Sequence, residues 1–211
     1  MSNRPTDREV TTRLPFNPFA TRYIRTGRIE PLNENGFPRN IEEIFKRFQS
    51  LSRCAAIEGP HGSGKSTLMA AIVEHCKQEN IFTKMFVIRS FGDVPQLMHG
   101  TVCASRETII CVKGWERIGN FSGVVMAIAR FRRCGLLVTS HKRTRLSQLM
   151  QCRSNQQILN AVVGCLPSHG GIIQEDDCED AFRKSSGNLR EALLDLYDRF
   201  ERRIRTVKAD A

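Results

Sequence analysis

The chain has 211 residues, 40% hydrophobic and 26% charged, which is enough apolar content for a compact domain with a core and too much for a disordered chain. Its net charge is +10 and its isoelectric point near 9.6, a field that enriches polyanions such as nucleic acid or phosphate-bearing ligands before any contact forms. No apolar run approaches the roughly 18 residues of a membrane span, and the opening MSNRPTDREVTT lacks an apolar signal core, so the expectation is a soluble cytoplasmic protein without a membrane partner.

Residues 1–39 are punctuated by Pro5, Pro15, Pro18, Pro31 and Pro38 and read as an N-terminal arm. Asn40 then caps a helix of about three turns whose apolar stripe is Ile41, Ile44, Phe45 and Phe48. From residue 53 short apolar runs alternate with amphipathic stretches, the pattern of a parallel sheet covered by helices. The strands expected are Cys54–Glu58, Phe82–Ile88, Thr108–Val112, Gly135–Thr139 and Gln148–Cys152. Between them, Lys65–Cys76 carries Leu68, Met69, Ile72, Val73 and Cys76 on one helical face, and a later helix carries Phe121, Val124, Val125, Ile128 and Phe131.

After residue 153 the strands cease. Ser154 with Gln157 reads as a capping box for a helix through Leu166, a short helix follows the acidic cluster Glu175–Asp180, and Asn188 with Glu191 caps a last helix lined by Leu189, Leu193, Leu196, Tyr197, Phe200 and Ile204. The organisation expected is an arm (1–39), an α/β core (40–153) and a helical lid (154–211).

Eight cysteines show no Cys-x-x-Cys pair and no histidine at zinc-finger spacing, which excludes a metal framework and suits small buried thiols in a reducing compartment. The charge is local. Residues 108–153 hold nine basic residues and one acidic residue, whereas 54–107 are balanced at five each. Arg130, Arg132, Arg133, Lys142, Arg143, Arg145 and Arg153 therefore make the 130–153 stretch a candidate nucleic-acid contact, or a solvated face without a partner.

One motif carries chemistry by itself. Gly59, Pro60, His61, Gly62, Ser63, Gly64, Lys65, Ser66 and Thr67 satisfy Gly-x-x-x-x-Gly-Lys-Ser/Thr between an apolar strand and an amphipathic helix. Glycines let the backbone N–H groups curl into an anion nest, the helix N-terminus adds to the field, Lys65 reaches the β- and γ-phosphates of ATP, and the Ser66 hydroxyl completes a Mg²⁺ shell. The phosphate loop lies in a segment of zero net charge, so the +10 is evidence about a second polyanion or an acidic partner.

Hydrolysis needs a carboxylate at the end of a second apolar strand to act on Mg²⁺ and the attacking water. Lys113 stands where that Asp is expected, after Thr108–Val112, and cannot accept a hydrogen bond. Glu116 is the alternative acid, with Asp93 having weaker positional support. Ser140, at the tip of the fourth strand, is a candidate for the γ-phosphate or the water, with His141 its substitute. Arg190, in the first turn of the last helix, could pair with phosphate oxygens.

In this order the motifs resemble those of the AAA+ and STAND ATPases over about residues 35–205. Gly59–Thr67 is similar to Walker A, 109–116 to a degenerate Walker B, 138–141 to sensor 1 and 187–191 to sensor 2. The resemblance implies a P-loop NTPase core with a five-stranded parallel sheet, a C-terminal helical lid, ATP with Mg²⁺, and coupling of lid to core. It also points to Asn17–Tyr23 as an adenine-side segment, while no arginine finger stands out among Arg130, Arg132, Arg133, Arg143 and Arg145. With 211 residues leaving little room for an effector domain, the output is expected from the module's own surface, a homo-oligomer or a larger protein complex. The expected function is a nucleotide-dependent switch or slow ATPase. A small-molecule kinase and a DNA-binding module with regulatory ATP are the alternatives.

Overall fold

The protein is described by a computed structural model covering residues 16–25, 27–168 and 170–209; residues 1–15 of the expected arm, with Pro5 and Pro15, lie outside the described residues. The chain divides into two compact units, one of residues 39–153 and one combining residues up to 38 with those from 154 onward.

Residues 39–153 form an α/β unit. In chain order it comprises α2 (Ile41–Ser50), β1 (Cys54–Glu58), α3 (Lys65–Gln78), β2 (Thr83–Val87), α4 (Val94–Val102), β3 (Ile109–Lys113), α5 (Ser122–Arg132), β4 (Gly135–Ser140) and β5 (Ser147–Gln151). The five strands make one parallel sheet in the order β2-β3-β4-β1-β5. Because successive strand residues point to opposite faces, the sheet feeds two cores. Ala56, Ile110, Val112, Leu136 and Val138 pack with Leu97, Trp115 and Val125 on one side, and Ala55, Ile57, Ile109, Cys111, Leu137 and Leu149 pack with Phe48, Leu68 and Ile72 on the other. This two-sided cover is why the central strands are apolar throughout rather than alternating.

Strand boundaries fall within one residue of those expected from sequence. The α5 face does not. Val125 and Ala129 are the buried positions, while Phe121, Val124 and Phe131 of the expected core stripe are exposed, Phe131 by 85%. Both assignments obey helical spacing, and the packing partner decided between them.

The second unit contains α1 (Thr21–Ile24), α6 (Gln156–Gly164), α7 (Glu175–Lys184) and α8 (Leu189–Ala209). Its core joins Phe19 to Leu159, Val162, Ala181, Leu196 and Phe200. The described part of the expected arm is thus packed: Phe19 lies 6.1 Å from Phe200, and the Asn17 amide donates to Tyr197 O and Glu201 Oε1 at 3.0 Å each. Three local expectations are corrected. Asn155, not Ser154, caps α6 by accepting from Ile158 N, and the Ser154 hydroxyl instead donates to Gly187 O at 2.6 Å. Helix α6 ends at Gly164, short of Leu166. The acidic cluster does not precede α7 but forms its first turns, with Asp177 capping Gln174 N and paired to Arg199 and Arg203 of α8. Among the described residues no helix is long and apolar enough to cross a membrane.

Candidate phosphate-loop site

The site lies at the C-terminal end of β1, where β4 and β5 flank that strand on either side. In open α/β sheets this end, beside a reversal of strand order, is where ligands bind. The loop leaves β1 through Gly59, whose N–H donates to Ser140 O at 3.2 Å, tying the loop to the tip of β4. A Cβ at Gly59 would stand 2.2 Å from the carbonyl oxygen of Cys152, the residue just after β5, which leaves no room for a side chain there. Gly62 and Gly64 take left-handed φ values of +71° and +84°, which turn the backbone into the helix start at Lys65.

Among the described residues the N–H groups of Gly62, Gly64, Lys65 and Ser66 meet no hydrogen-bond acceptor. They form the open end of α3, where the helix dipole favours negative charge. Lys65 Nζ curls back to donate to Gly59 O at 2.7 Å and to Pro60 O. Burial holds its ammonium below the ordinary lysine value, against the opposing pull of Cys152 and Glu116. Ser63 Oγ donates to Pro60 O, and Ser66 and Thr67 stand half-buried in the first turn.

Glu116 reaches this place because Gly114 breaks β3. Gly114 has φ +80°, and a Cβ there would lie 2.6 Å from Ile88 O. The tight turn Trp115–Arg117 follows, and Trp115 plugs into the core beside Ile118 and Val138, which fixes the next side chain. The Glu116 carboxylate is 9% exposed, and Oε1 lies 3.0 Å from His141 Nδ1. Its other oxygen, Oε2, is buried and has no partner among the described residues. The His141 ring stacks at 4.4 Å on His61 of the phosphate loop. Glu116, His141 and the loop are therefore one cluster.

Ser140 is buried at the end of β4, its Oγ accepting from Lys142 N at 3.1 Å. Lys113 ends β3 in register with Thr139 and offers no acceptor. Asp93 is engaged elsewhere: its carboxylate accepts from Arg89 N and Ser90 N, and those hydrogen bonds hold it below the ordinary aspartate value. Arg190 is exposed in the first turn of α8, beside Asn188, whose side chain accepts from Arg190 N. Sequence reasoning missed Glu58, which is buried and accepts from Thr144 N at 2.7 Å, pinning the β4–β5 connection, and it ranked His141 only as a substitute. The signal for His141 was its place one residue past a strand adjacent to that carrying Glu116.

No protein-family model matches the chain, and no curated protein matches it. Solved structures do. The RuvB Holliday junction branch migration motor of Thermotoga maritima aligns at 14% identity with a TM-score of 0.47, covering 72% of this chain and 57% of that one. Domain III of the replication initiation protein DnaA from the same organism aligns at 14% identity with a TM-score of 0.44, covering 81% and 99%. The chain thus spans less than three fifths of that RuvB structure.

Proposed function

We propose that the protein is an ATP-binding AAA+-like module that acts as a nucleotide-dependent switch or slow ATPase. The observation that carries this reading is the junction of the phosphate loop with the buried, half-satisfied carboxylate of Glu116. A buried carboxylate oxygen without a partner is rare in folded proteins and is explained by a ligand, ion or water that meets it.

The residues fit ATP with Mg²⁺. The cradle at Gly62 and Gly64 has free N–H groups, and nothing lies within 4 Å of the space beside Gly64. Among the described residues no group of three His, Cys, Asp or Glu could hold a metal alone, so a magnesium ion would depend on Ser66 and the nucleotide's own oxygens. ATP with Mg²⁺ supplies a phosphoanhydride whose developing charge the metal neutralises. The loop N–H groups and Lys65 hold phosphate oxygens, Glu116 takes a proton from the attacking water, and Ser140 with His141 lines the same end of β4. Lys113 leaves the metal without the usual strand-end carboxylate, which favours holding nucleotide over fast turnover.

The test is equilibrium binding of a labelled ATP analogue with Mg²⁺, together with phosphate release. Lys65→Ala should abolish binding, and Lys113→Asp should raise turnover. Undiminished binding by the Lys65 variant would remove the proposal.

A further inference from the structure

The basic stretch 130–153 is not one surface. Arg130, Arg132 and Arg133 precede β4 and Lys142, Arg143 and Arg145 follow it, so the two groups stand at opposite ends of a six-residue strand, about 20 Å apart at the rise of an extended chain. The first group is joined by two arginines remote in sequence. Arg53 and Arg106 lie with Arg130 and Arg133 around a cavity of about 380 Å³ at the N-terminal ends of β1, β3 and β4, with Gln49 and Ser52 on its wall.

Four cations sharing one cavity repel each other, and here no carboxylate relieves them. Among the described residues none of these arginines, nor Arg132, forms an ion pair. The Arg53 guanidinium is instead fixed by neutral acceptors, donating to Arg106 O at 2.9 Å and Glu107 O at 3.1 Å, so its charge is positioned but not cancelled. The backbone is strained at the same place. Ser52, Arg53 and Arg133 have φ of +55°, +57° and +55°, a region that costs residues with a Cβ and persists at sites that need it. Arg133 is the clearest case, since glycine is the usual residue at a left-handed helix end.

Two exposed aromatics stand at the same end of the sheet, outside the lining of the cavity. Phe131, 85% exposed in the last turn of α5, projects about 100° round the helix from Arg130 and from Arg132, and Phe82, just before β2, is 74% exposed at the same end of the parallel sheet. Guanidinium forks match phosphate oxygens, Gln49 and Ser52 add neutral donors, and exposed rings offer faces for unpaired bases. We infer that this arginine cluster binds the phosphodiester backbone of single-stranded nucleic acid, with bases of the strand that passes beyond the cavity stacking on Phe131. The inference uses the end of the sheet opposite the phosphate loop and stands independently of the ATP reading.

The experiment is fluorescence anisotropy of a labelled single-stranded oligodeoxynucleotide with the full chain, without nucleotide, across a salt series. Arg130→Gln combined with Arg133→Gln should weaken binding roughly tenfold and flatten the salt slope by about 0.7 for each phosphate no longer neutralised. Phe131→Ala should weaken single-strand binding roughly tenfold and leave duplex binding unchanged. Lys142→Gln with Arg143→Gln, at the other end of β4, should change little. Arg133→Gly separates folding from binding, because it relieves the left-handed strain: its melting temperature should rise while its affinity falls. No binding at low salt, equal losses in the far-end variant, or displacement by polyglutamate as effective per charge as by the oligonucleotide would each overturn the inference.

Discussion

Glu116 Oε1 lies 3.0 Å from His141 Nδ1 while Oε2 is buried beside it with nothing to accept from. The two residues come from the ends of the adjacent strands β3 and β4, and the histidine ring stacks on His61 of the phosphate loop. One oxygen is held and the other is left for a ligand or water, which is the arrangement a general base requires. Glu116→Gln should therefore lower the rate of phosphate release a hundredfold or more, with binding of the labelled ATP analogue retained. A rate equal to that of the unaltered protein would remove Glu116 from the mechanism.

The same orphan oxygen has a stability consequence. Glu116→Gln replaces a buried charge by a neutral amide of the same shape, so the free protein should gain about 1 kcal/mol. Urea midpoints of the two proteins without nucleotide check this, and the gain should shrink when ATP and Mg²⁺ are added.

Gly59 and Gly64 should respond differently to alanine. At Gly59 the new methyl meets Cys152 O at 2.2 Å and Ser63 Oγ at 2.8 Å, and a loss of about 3 kcal/mol is expected. Gly64 has open space and only the left-handed backbone to oppose substitution, which costs about 1 kcal/mol. Denaturation with Trp115 fluorescence, the sole tryptophan and a core residue, reads both.

The thiols should fall into two classes. Burial pushes Cys111 up to about 12 and Cys76 and Cys152 up to about 11, so their thiolates are scarce near neutrality. Cys103 and Cys165 are exposed. Alkylation of the native protein at pH 8, followed by peptide mapping, should label those two first and the buried group only on unfolding.

The helical unit should lose stability in acid. Burial pushes the Asp177 and Asp195 carboxyls up, but hydrogen bonds from Arg203 and Arg199 outweigh it and leave both below the ordinary value of 3.8; Asp180 is lowered chiefly by Arg199. A lowered native value means stability that is fully present above 3.8 and is lost as the pH falls below it. Helical circular dichroism should decline in that window before the Trp115 emission shifts, and Arg199→Gln should flatten the pH dependence.

The sequence by itself determined the phosphate loop and the sheet, because both are written in local terms. Gly59–Thr67 is a contiguous motif, and runs such as Ile109–Lys113 are apolar enough to declare a strand buried on both faces. Lys113 in place of an acid was equally legible. Tertiary structure alone decided which carboxylate meets the loop, since Glu116 arrives there only because Gly114 turns the chain and Trp115 anchors it in the core. It also decided which side of α5 faces inward, as 3.6-residue periodicity admits two overlapping stripes and only a packing partner selects one. And it divided a single basic run between two ends of the sheet while recruiting Arg53 and Arg106 from far along the chain. A strand separates neighbours in sequence, and parallel pairing gathers the starts of strands that sequence keeps apart.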